Sequence, residues 1–360
     1  MRCPQDERPR SRPNLTQIAA LLDVSAATVS NALSGKGRVS AELAERIRTK
    51  AAELGYMPSH AGRALRTGRS QVLGLVLPDI ANPLFPQIAQ AIEHAAAAAG
   101  YGVLIADSRG DAAMQTQAIT HLQDRGVDGI VIVPRRGTRI ISTGSPVAVI
   151  DSPSTPGNTV SADHWQGGEL VGSHLAALGH RDVVIIGSNP ASNVQNDRVG
   201  GIRSALGPDR RVEVLWIEPH EALHGPGASL GLAARVAEGF TAFAALSDLQ
   251  ALRALTELQQ AGLRVPQDAS LTGFDDLVWS SAITPGITSV RMDMPAIAGE
   301  AIQALLRLIE SRDRGNGPRD PGIARASRPS VPMSLVVRQT CGPSPSRTAE
   351  QQQTPAGDSQ

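Results

Sequence analysis

The sequence predicts a small all-helical head, a short hinge and a larger α/β body that contains two doubly wound lobes. In residues 15–54, apolar residues recur at the i, i+3, i+4 and i+7 spacing of amphipathic helices. From residue 71 onward, short apolar runs alternate with helical segments, which is typical of a parallel sheet covered by helices on both faces. The alternation restarts after residue 158, so the 360-residue chain is predicted to contain two such units.

Three helices are predicted in the head. Asn14, followed three residues later by Gln17, forms a capping-box pattern at the start of the first helix. One face of that helix is apolar and carries Leu15, Ile18, Ala19 and Leu22. A second short helix begins at Ser25 or Ala26, and a third runs from about residue 40 to residue 54. Two short helices across a tight turn form a helix-turn-helix, whose second helix can enter the major groove of DNA.

Three consecutive sequence motifs carry a family resemblance. VSAATVSNALSG, RVSAELAERI and ELGYMPSHAGRALRTGRS follow one another between residues 24 and 70. In this order they resemble the DNA-binding headpiece and hinge of the LacI/GalR family of bacterial transcription regulators. The resemblance extends from residue 14 to about residue 340 and implies a periplasmic-binding-protein-like body. Two positions depart from the family pattern: Gln17 replaces the usual acidic residue, and Gly62 replaces the usual alanine. Gly62 lowers helix propensity by about 1 kcal/mol, so we expect the hinge to be poorly helical without DNA.

The resemblance also implies which residues contact DNA. The matching positions are Thr16, Ser25, Ala26, Ala27, Thr28, Ser30, Asn31 and Arg38 in the head, and Leu65 and Arg66 in the hinge. In the family, the leucine at the position of Leu65 wedges into the minor groove and kinks the duplex. Residues 1–70 hold 12 Lys and Arg against 6 Asp and Glu, and by charge alone a solvated basic face would be the preferred interpretation. The headpiece motifs reverse that preference. The expected partner is a near-palindromic double-stranded operator bound by a homodimer.

Five segments are predicted along the chain. They are a flexible N-terminal extension (1–13), the head (14–58), the hinge (59–70), the body (71–340) and a disordered tail (341–360). One lobe comprises about 71–158 with 290–310, and the other about 159–289 with 333–340. Residues 311–332 are rich in Arg, Gly and Pro and are interpreted as a flexible surface insertion. The tail lacks leucine heptads, so no tetramerising coiled coil is expected.

The sequence contains no recognisable catalytic or cofactor motif. GxSxG, HExxH, a phosphate loop and a GxGxxG after the first strand are all missing, so we expect neither an enzyme nor a bound cofactor. His220 and His224 have helical spacing but lie in a predicted loop rich in Pro and Gly, so a metal site is not expected.

The two cysteines, Cys3 and Cys341, cannot build a disulfide framework. The first 14 residues lack the apolar core of a signal peptide, and no run is apolar enough to span a bilayer. We therefore expect a cytoplasmic protein without a membrane partner.

Polar residues follow the predicted strands of the body, and ligands of open α/β sheets bind beyond the carboxyl ends of strands. The family positions that line the effector cleft correspond here to Asp79, Asn82, Leu84, Phe85, Asp151, Arg198, Asp248 and Asp275. This set suits a polyol such as a sugar: the carboxylates can accept hydrogen bonds from hydroxyl groups, and the arginine can donate paired N–H hydrogen bonds from its guanidinium group. A single aspartate at a strand end could instead cap a helix. Only Phe85, Trp165 and Trp279 could offer the aromatic platform that sugar sites favour.

These observations predict a DNA-binding transcription regulator; repression is favoured over activation, although the sequence alone does not decide between them. Its operator affinity would depend on a small effector, expected to be a sugar, bound between the lobes. Effector binding would close the lobes and change whether the paired hinges fold on DNA. Two alternatives stay open, a sugar-binding protein without DNA function and an enzyme acting on a sugar or nucleoside. The helical head disfavours the first, and the missing catalytic motifs disfavour the second.

Overall fold

The structure is a computed structural model that describes residues 13–34, 37–56, 68–134, 144–314, 322–327 and 329–345. The chain divides into a head unit, residues 1–70, and a body unit, residues 71–360. The predicted hinge contacts Leu65 and Arg66, together with Gly62, lie outside the described residues, as do residues 1–12 and the tail from residue 346.

The head contains the three predicted helices, α1 (Leu15–Leu22), α2 (Ala26–Ser34) and α3 (Ala41–Glu53). The capping box is present: Asn14 Oδ1 accepts from the Gln17 N–H at 2.9 Å, and Gln17 Oε1 accepts from the Asn14 N–H at 3.0 Å. Each helix buries at least one large apolar side chain completely: Ile18, Val29 and Ile47. The three helices therefore enclose one small core.

The first lobe of the body is built on a four-stranded parallel sheet in the order β2-β1-β3-β4. Its elements are β1 (Val72–Leu77), α4 (Leu84–Ala98), β2 (Gly102–Asp107), α5 (Ala112–Asp124), β3 (Gly129–Ile132) and β4 (Val147–Val149). Strands β1, β3 and β4 are buried on both faces, which explains their unbroken apolar sequences. β2 is the edge strand, and its Leu104 and Ile105 side chains are exposed.

The second lobe is built on a six-stranded sheet in the order β12-β10-β9-β8-β6-β7, in which only β12 (Ser334–Val336) runs antiparallel. Its elements up to the last parallel strand are α6 (His164–Ala177), β6 (Asp182–Gly187), α7 (Asn193–Leu206), β7 (Arg211–Trp216), α8 (Ile217–His224), α9 (Leu232–Ala237), β8 (Ala242–Ala245), α10 (Asp248–Gln260), β9 (Ser270–Phe274), α11 (Val278–Ala282) and β10 (Thr288–Arg291). The chain then returns to the first lobe through α12 (Met294–Asp313), which packs against α4, β3 and β4.

Two short strands mark the other chain crossings between the lobes. Ser161–Ala162, here β5, pairs in parallel with Ser330–Val331, here β11, and Ser334–Val336 forms β12. The interpretation of residues 311–332 as a flexible surface insertion is wrong for the described part of that segment. Ala324 and Val331 are buried, and the Ala324 N–H donates to the Val147 carbonyl at 2.6 Å. Backbone pairing with both lobes holds this segment against the body.

The predicted disordered tail begins too early, because residues 341–344 are packed. The Ser344 N–H donates to the Leu178 carbonyl at 2.9 Å, and Ser344 is buried. The Gly342 carbonyl lies 3.1 Å from His180 Nε2 and accepts from Ser270 Oγ at 3.1 Å. The buried His180 ring thus anchors residues 341–344 to the body. Because burial removes water from the ring, it lowers the pKa of His180 to about 4.

A helix replaces the loop that was expected around His220 and His224. Both residues lie on α8, and their ring centroids are 4.6 Å apart. His220 Nε2 lies 2.8 Å from the Ser229 carbonyl oxygen. Within the described residues, no three His, Cys, Asp or Glu side chains are grouped closely enough to hold a metal ion. Among the same residues, no helix is both long and apolar enough to cross a bilayer.

Candidate functional site

The second helix of the head, α2, presents Ala26, Ala27 and Asn31 to solvent. The helix starts at Ser25, whose Oγ accepts from the Thr28 N–H at 3.0 Å and lies 2.8 Å from Thr28 Oγ1. Both hydroxyl groups therefore help to fix the helix start. Two small side chains and one amide remain on the outer face of α2, which could approach a DNA groove closely.

The other predicted DNA contacts of the head differ in exposure. Thr16 and Arg38 are exposed, whereas Ser30 is half-buried. Gly37 has a positive φ of 87°, and a Cβ placed there would lie 3.1 Å from Asn31 Nδ2. Glycine at this position lets the turn after α2 lie directly against the Asn31 side chain.

A cavity of about 530 Å³ lies between the two lobes of the body. Seven of the eight predicted effector residues line it: Asp79, Asn82, Leu84, Phe85, Asp151, Arg198 and Asp275. The first-lobe wall is largely apolar, with Phe85 from α4 and Met294 from α12. The second-lobe wall is mainly polar, and it contains the only arginine among the described lining residues, Arg198.

Arg198, on α7, is held rigidly in the second-lobe wall. Its Nη2 donates to Asp275 Oδ1 at 3.2 Å, and its Nη1 donates to the Leu246 carbonyl at 2.5 Å. Its Nε donates to His164 Nδ1 at 3.4 Å, and the guanidinium lies 4.4 Å from the centre of the Phe274 ring. Both side chains of the Arg198–Asp275 pair are only 5% exposed. The fork is therefore already oriented.

Asp275 lies on a loop whose backbone conformation is unusual. Asp275 and Asp276 have positive φ values of 96° and 48°, a region that non-glycine residues seldom adopt. Asp276 accepts from Arg291 Nε and from Arg338 Nη2, both at 2.6 Å. These two ion pairs hold the loop in place. Burial raises the pKa of Asp275, and the neighbouring Arg198 opposes that rise.

Asp151 provides a carboxylate on the opposite side of the cavity, just after β4. Its Oδ2 accepts from Thr155 Oγ1 at 2.6 Å. Burial raises the pKa of Asp151 to about 6; the bond from Thr155 opposes the rise, and the charge of Asp197 adds to it. Asp79 and Asn82 each accept a bond from a backbone N–H two residues ahead, so they shape their own loop as well as lining the cavity.

Comparisons with known proteins agree with this architecture. Residues 14–59 match the family described as bacterial regulatory proteins, lacI family, and residues 173–341 match the periplasmic binding protein-like domain. The HTH-type transcriptional regulator GntR of Pseudomonas aeruginosa is 31% identical over 338 residues, which cover 91% of this chain and 98% of the relative. The chain belongs to the LacI family of bacterial transcription regulators.

Further similarities span most of this LacI-family chain. The ribose operon repressor of Haemophilus influenzae is 28% identical over 309 residues, covering 82% of this chain and 92% of the relative. The crystal structure of the lac repressor dimer bound to operator and the anti-inducer ONPF is 25% identical, with a TM-score of 0.74. That match covers 92% of this chain and all of the lac repressor chain. The predicted family and the predicted two-part fold are confirmed.

In this LacI-family chain, the structure places Asp248 behind the cavity wall, away from the seven predicted effector residues that line the cavity. Asp248 is 3% exposed and does not line the cavity. Its carboxylate accepts from the Leu277 N–H at 2.7 Å and from Ser280 Oγ and Ser289 Oγ, each at 2.6 Å. Burial, reinforced by the charge of Asp275, raises the pKa of Asp248 to about 7. Asp248 therefore supports the loop that carries Asp275 instead of facing the cavity.

Several lining residues of the cavity were missed from the sequence, and most share one location. His164, Ser192, Asn193, Glu218, Ser247 and Gln250 all line the cavity at or within the first turn of a second-lobe helix that follows a strand. Burial and the neighbouring Arg198 hold the pKa of His164 well below its usual range, so its ring is neutral.

Only one of the three candidate aromatic platforms lines the cavity, namely Phe85. Trp279, on α11, is partly exposed and does not line it. Trp165 is also partly exposed, and its Nε1 donates to Glu169 Oε1 at 2.9 Å. A Cβ at Gly200 would lie 2.3 Å from the Trp165 ring, so this tryptophan packs over α7.

Glycines bring α6 and α7 into direct backbone contact. A Cβ at Gly168 would lie 2.3 Å from the Arg198 carbonyl oxygen, and one at Gly201 would lie 2.0 Å from the Trp165 carbonyl oxygen. Since neither oxygen belongs to a flexible side chain, a larger residue could fit only if the helices separated. This close approach places His164, at the start of α6, within reach of Arg198.

Proposed function

We propose that this chain is a homodimeric transcriptional repressor whose affinity for a near-palindromic operator is controlled by a sugar or a similar polyol. One observation carries the proposal. The buried Arg198–Asp275 pair of the second lobe faces Asp151 of the first lobe across a cavity of about 530 Å³. The same chain begins with a helix-turn-helix head. A regulator of transcription acts where the bacterial DNA lies, so we place it in the cytoplasm.

The chemistry of the cavity favours a neutral ligand with many hydroxyl groups. Asp79 and Asp151 can accept hydroxyl protons, and the amides of Asn193 and Gln250 can both donate and accept. The apolar first-lobe wall, which includes Phe85, can pack against the C–H face of a sugar ring. One relative is named a ribose operon repressor, which supports a sugar effector for this chain.

On the head, we propose that DNA is contacted by Thr16, Ser25, Ala26, Ala27, Thr28, Ser30, Asn31 and Arg38. Asn31 is the main hydrogen-bonding base reader, because the two alanines beside it can offer only methyl contacts, for example to thymine. The family resemblance adds Leu65 as a minor-groove wedge and Arg66 as its neighbour.

A second copy of the chain is the partner that the proposal requires. Edge strand β2 exposes 39% of Leu104 and 54% of Ile105. A second copy that covered this edge would remove two large apolar side chains from water. The lac repressor match is a dimer bound to operator, which supports the same assembly for this chain.

The full-length protein provides the test. Selection from random duplexes should yield an inverted repeat, and a thermal-shift screen against D-ribose, D-xylose, D-glucose, D-gluconate, maltose and adenosine should identify a stabilising compound. That compound should change the affinity for the selected duplex. Chromatography of the compound after incubation separates binder from enzyme, because conversion to a product would contradict the proposal. Failure to select any duplex would contradict it as well.

A further inference from the structure

A polar cluster separate from the Arg198–Asp275 pair joins the two lobes beside the cavity. Ser152 and Ser154 belong to the first lobe, just after β4, whereas Asp197 belongs to α7 of the second lobe. Both serine hydroxyls donate to Asp197 Oδ2, Ser154 at 3.1 Å and Ser152 in closer contact. Ser152 is fully buried. Ser154 is exposed and Asp197 is half-buried, so only the Ser152 side of the bridge is shielded from solvent. Because the acceptor is a carboxylate, each bond is charge-assisted and about twice as strong as a neutral hydrogen bond.

A second bridge runs in parallel and ends on a lining residue. Asn193 Nδ2, at the start of α7, donates to Thr155 Oγ1 at 3.0 Å. The Thr155 hydroxyl in turn donates to Asp151 Oδ2 at 2.6 Å. The Asp151 carboxylate is thus oriented by a first-lobe threonine that the second lobe holds in place.

The hydroxyl groups lie where two like charges approach each other. Burial is the main cause of the raised pKa of Asp151, and the charge of Asp197 makes a smaller contribution in the same direction. Without donors around Asp197, this repulsion would act to separate the first-lobe segment 151–155 from α7. The hydroxyls of Ser152 and Ser154 both donate to Asp197 Oδ2 at this point.

We infer that Ser152, Ser154 and Thr155 of the first lobe, with Asn193 and Asp197 of the second, form a latch that sets the separation of the lobes. The latch keeps Asp151 and Arg198 at the spacing that one small ligand can bridge. It thereby sets the fraction of molecules that are ready to bind, and the apparent affinity scales with that fraction. Its regulatory meaning rests on the proposed function, but the latch itself rests only on contacts within the body.

The test measures the lobe separation directly in the full-length chain and needs neither ligand nor DNA. Spin labels are attached at Thr120→Cys on α5 and Ala234→Cys on α9, both exposed, in a Cys3→Ser background. Cys341 is half-buried, and burial raises the pKa of its thiol to about 11, which slows its reaction with a thiol-specific label relative to the two exposed introduced cysteines. Singly labelled samples supply the distances between protomers, which are then subtracted.

The decisive variant is Ser152→Ala with Ser154→Ala, which removes both donors to Asp197 without changing any charge. We expect its distance distribution to shift to longer values and to broaden. The matched control is Thr256→Ala, which removes an exposed hydroxyl that bonds only within α10; its distribution should equal that of the wild type. If the double variant does not fold, Ser154→Ala alone should give a smaller shift in the same direction.

An unchanged distribution in a folded serine variant would overturn the latch. That result would leave the proposed function intact, since operator selection and the sugar screen do not depend on it. Conversely, a shifted distribution in a protein that binds none of the screened compounds would support the latch while contradicting the sugar proposal.

Discussion

Replacement of Arg198 by methionine should destabilise the body strongly, because it leaves Asp275 buried without its partner. Methionine retains much of the apolar stem of Arg198, so the change mainly removes the guanidinium and its bonds to Asp275 and Leu246. Removing one partner of a buried ion pair costs about 3–5 kcal/mol. Because the Leu246 carbonyl also loses a donor, we expect the free energy of unfolding to fall by an amount in the upper half of that range.

The penalty should depend on pH in a defined direction. Burial already raises the pKa of Asp275, and loss of Arg198 removes the main interaction that opposes the rise. A carboxyl group with a raised pKa in the folded state favours folding when protonated, and this contribution is lost as the pH rises through the folded-state pKa. The Arg198→Met penalty should therefore be larger at pH 8 than at pH 5, by at most about 1.4 kcal/mol per pH unit within the titration range.

Urea unfolding followed by tryptophan fluorescence is the appropriate assay, since all three tryptophans, Trp165, Trp216 and Trp279, lie in the body. Asp275→Asn, alone and combined with Arg198→Met, completes a double-mutant cycle. The double variant should be more stable than the sum of the single penalties predicts, with a coupling of about 0.5–3 kcal/mol. Additive penalties that are equal at pH 5 and pH 8 would refute the reasoning.

Three further predictions concern other parts of the chain. Asn31→Ala should weaken operator binding by about 1–3 kcal/mol and relax specificity at one base pair per half-site, as competition binding on mismatched duplexes would show; equal weakening on every duplex would mean that Asn31 contacts only phosphate. Gly201→Ala should destabilise the body by about 1–3 kcal/mol in the same urea assay, because the added Cβ would meet the Trp165 carbonyl. Its control is Gly299→Ala on α12, where the added Cβ meets no neighbouring atom; this variant should stabilise the body by about 0.5–1 kcal/mol. Asp248→Ala should cost about 1–3 kcal/mol, since the buried Leu277 N–H and the Ser280 and Ser289 hydroxyls would lose their common acceptor, and unchanged stability would contradict the supporting role of Asp248.

The strands and helices of the body were largely predictable because apolar runs and helical periodicity are local properties of the chain. The wrong predictions concern two segments whose local composition suggested irregular structure although they are ordered in the fold. Pro219 suggested a loop in residues 217–224, yet proline is tolerated in the first turn of a helix, and it lies there in α8. Residues 322–331 look like a surface insertion by composition. Their order comes from backbone pairing with Val147 and β5, which are more than 150 residues away in sequence.

The site shows the same division between local and distant information. Asp248 and Asp275 each closely follow a strand, so the sequence alone does not distinguish their roles. Their partners decide the roles: Asp248 meets the hydroxyls of Ser280 and Ser289, and Asp275 meets a guanidinium at the cavity wall. Those pairings span 32, 41 and 77 residues of sequence, respectively. A rule about strand ends can therefore identify the edge of the sheet that binds ligand, but it cannot separate the ligand residue from its support.

If the proposed function holds, the placement of charges couples ligand binding to the separation of the lobes. Asp151 lies on the first lobe, and the Arg198–Asp275 pair lies on the second, so a ligand that contacts all three binds best at one lobe separation. A ligand with such a preference shifts the population of molecules toward that separation. The size of the shift is limited by how much more tightly the ligand binds at that separation than at any other. Reciprocity then requires that any change that alters lobe separation, in the latch or elsewhere, alters ligand affinity by the same factor. Control of the lobes therefore requires no rearrangement of Arg198, since its fork is already fixed by Leu246, His164 and Asp275.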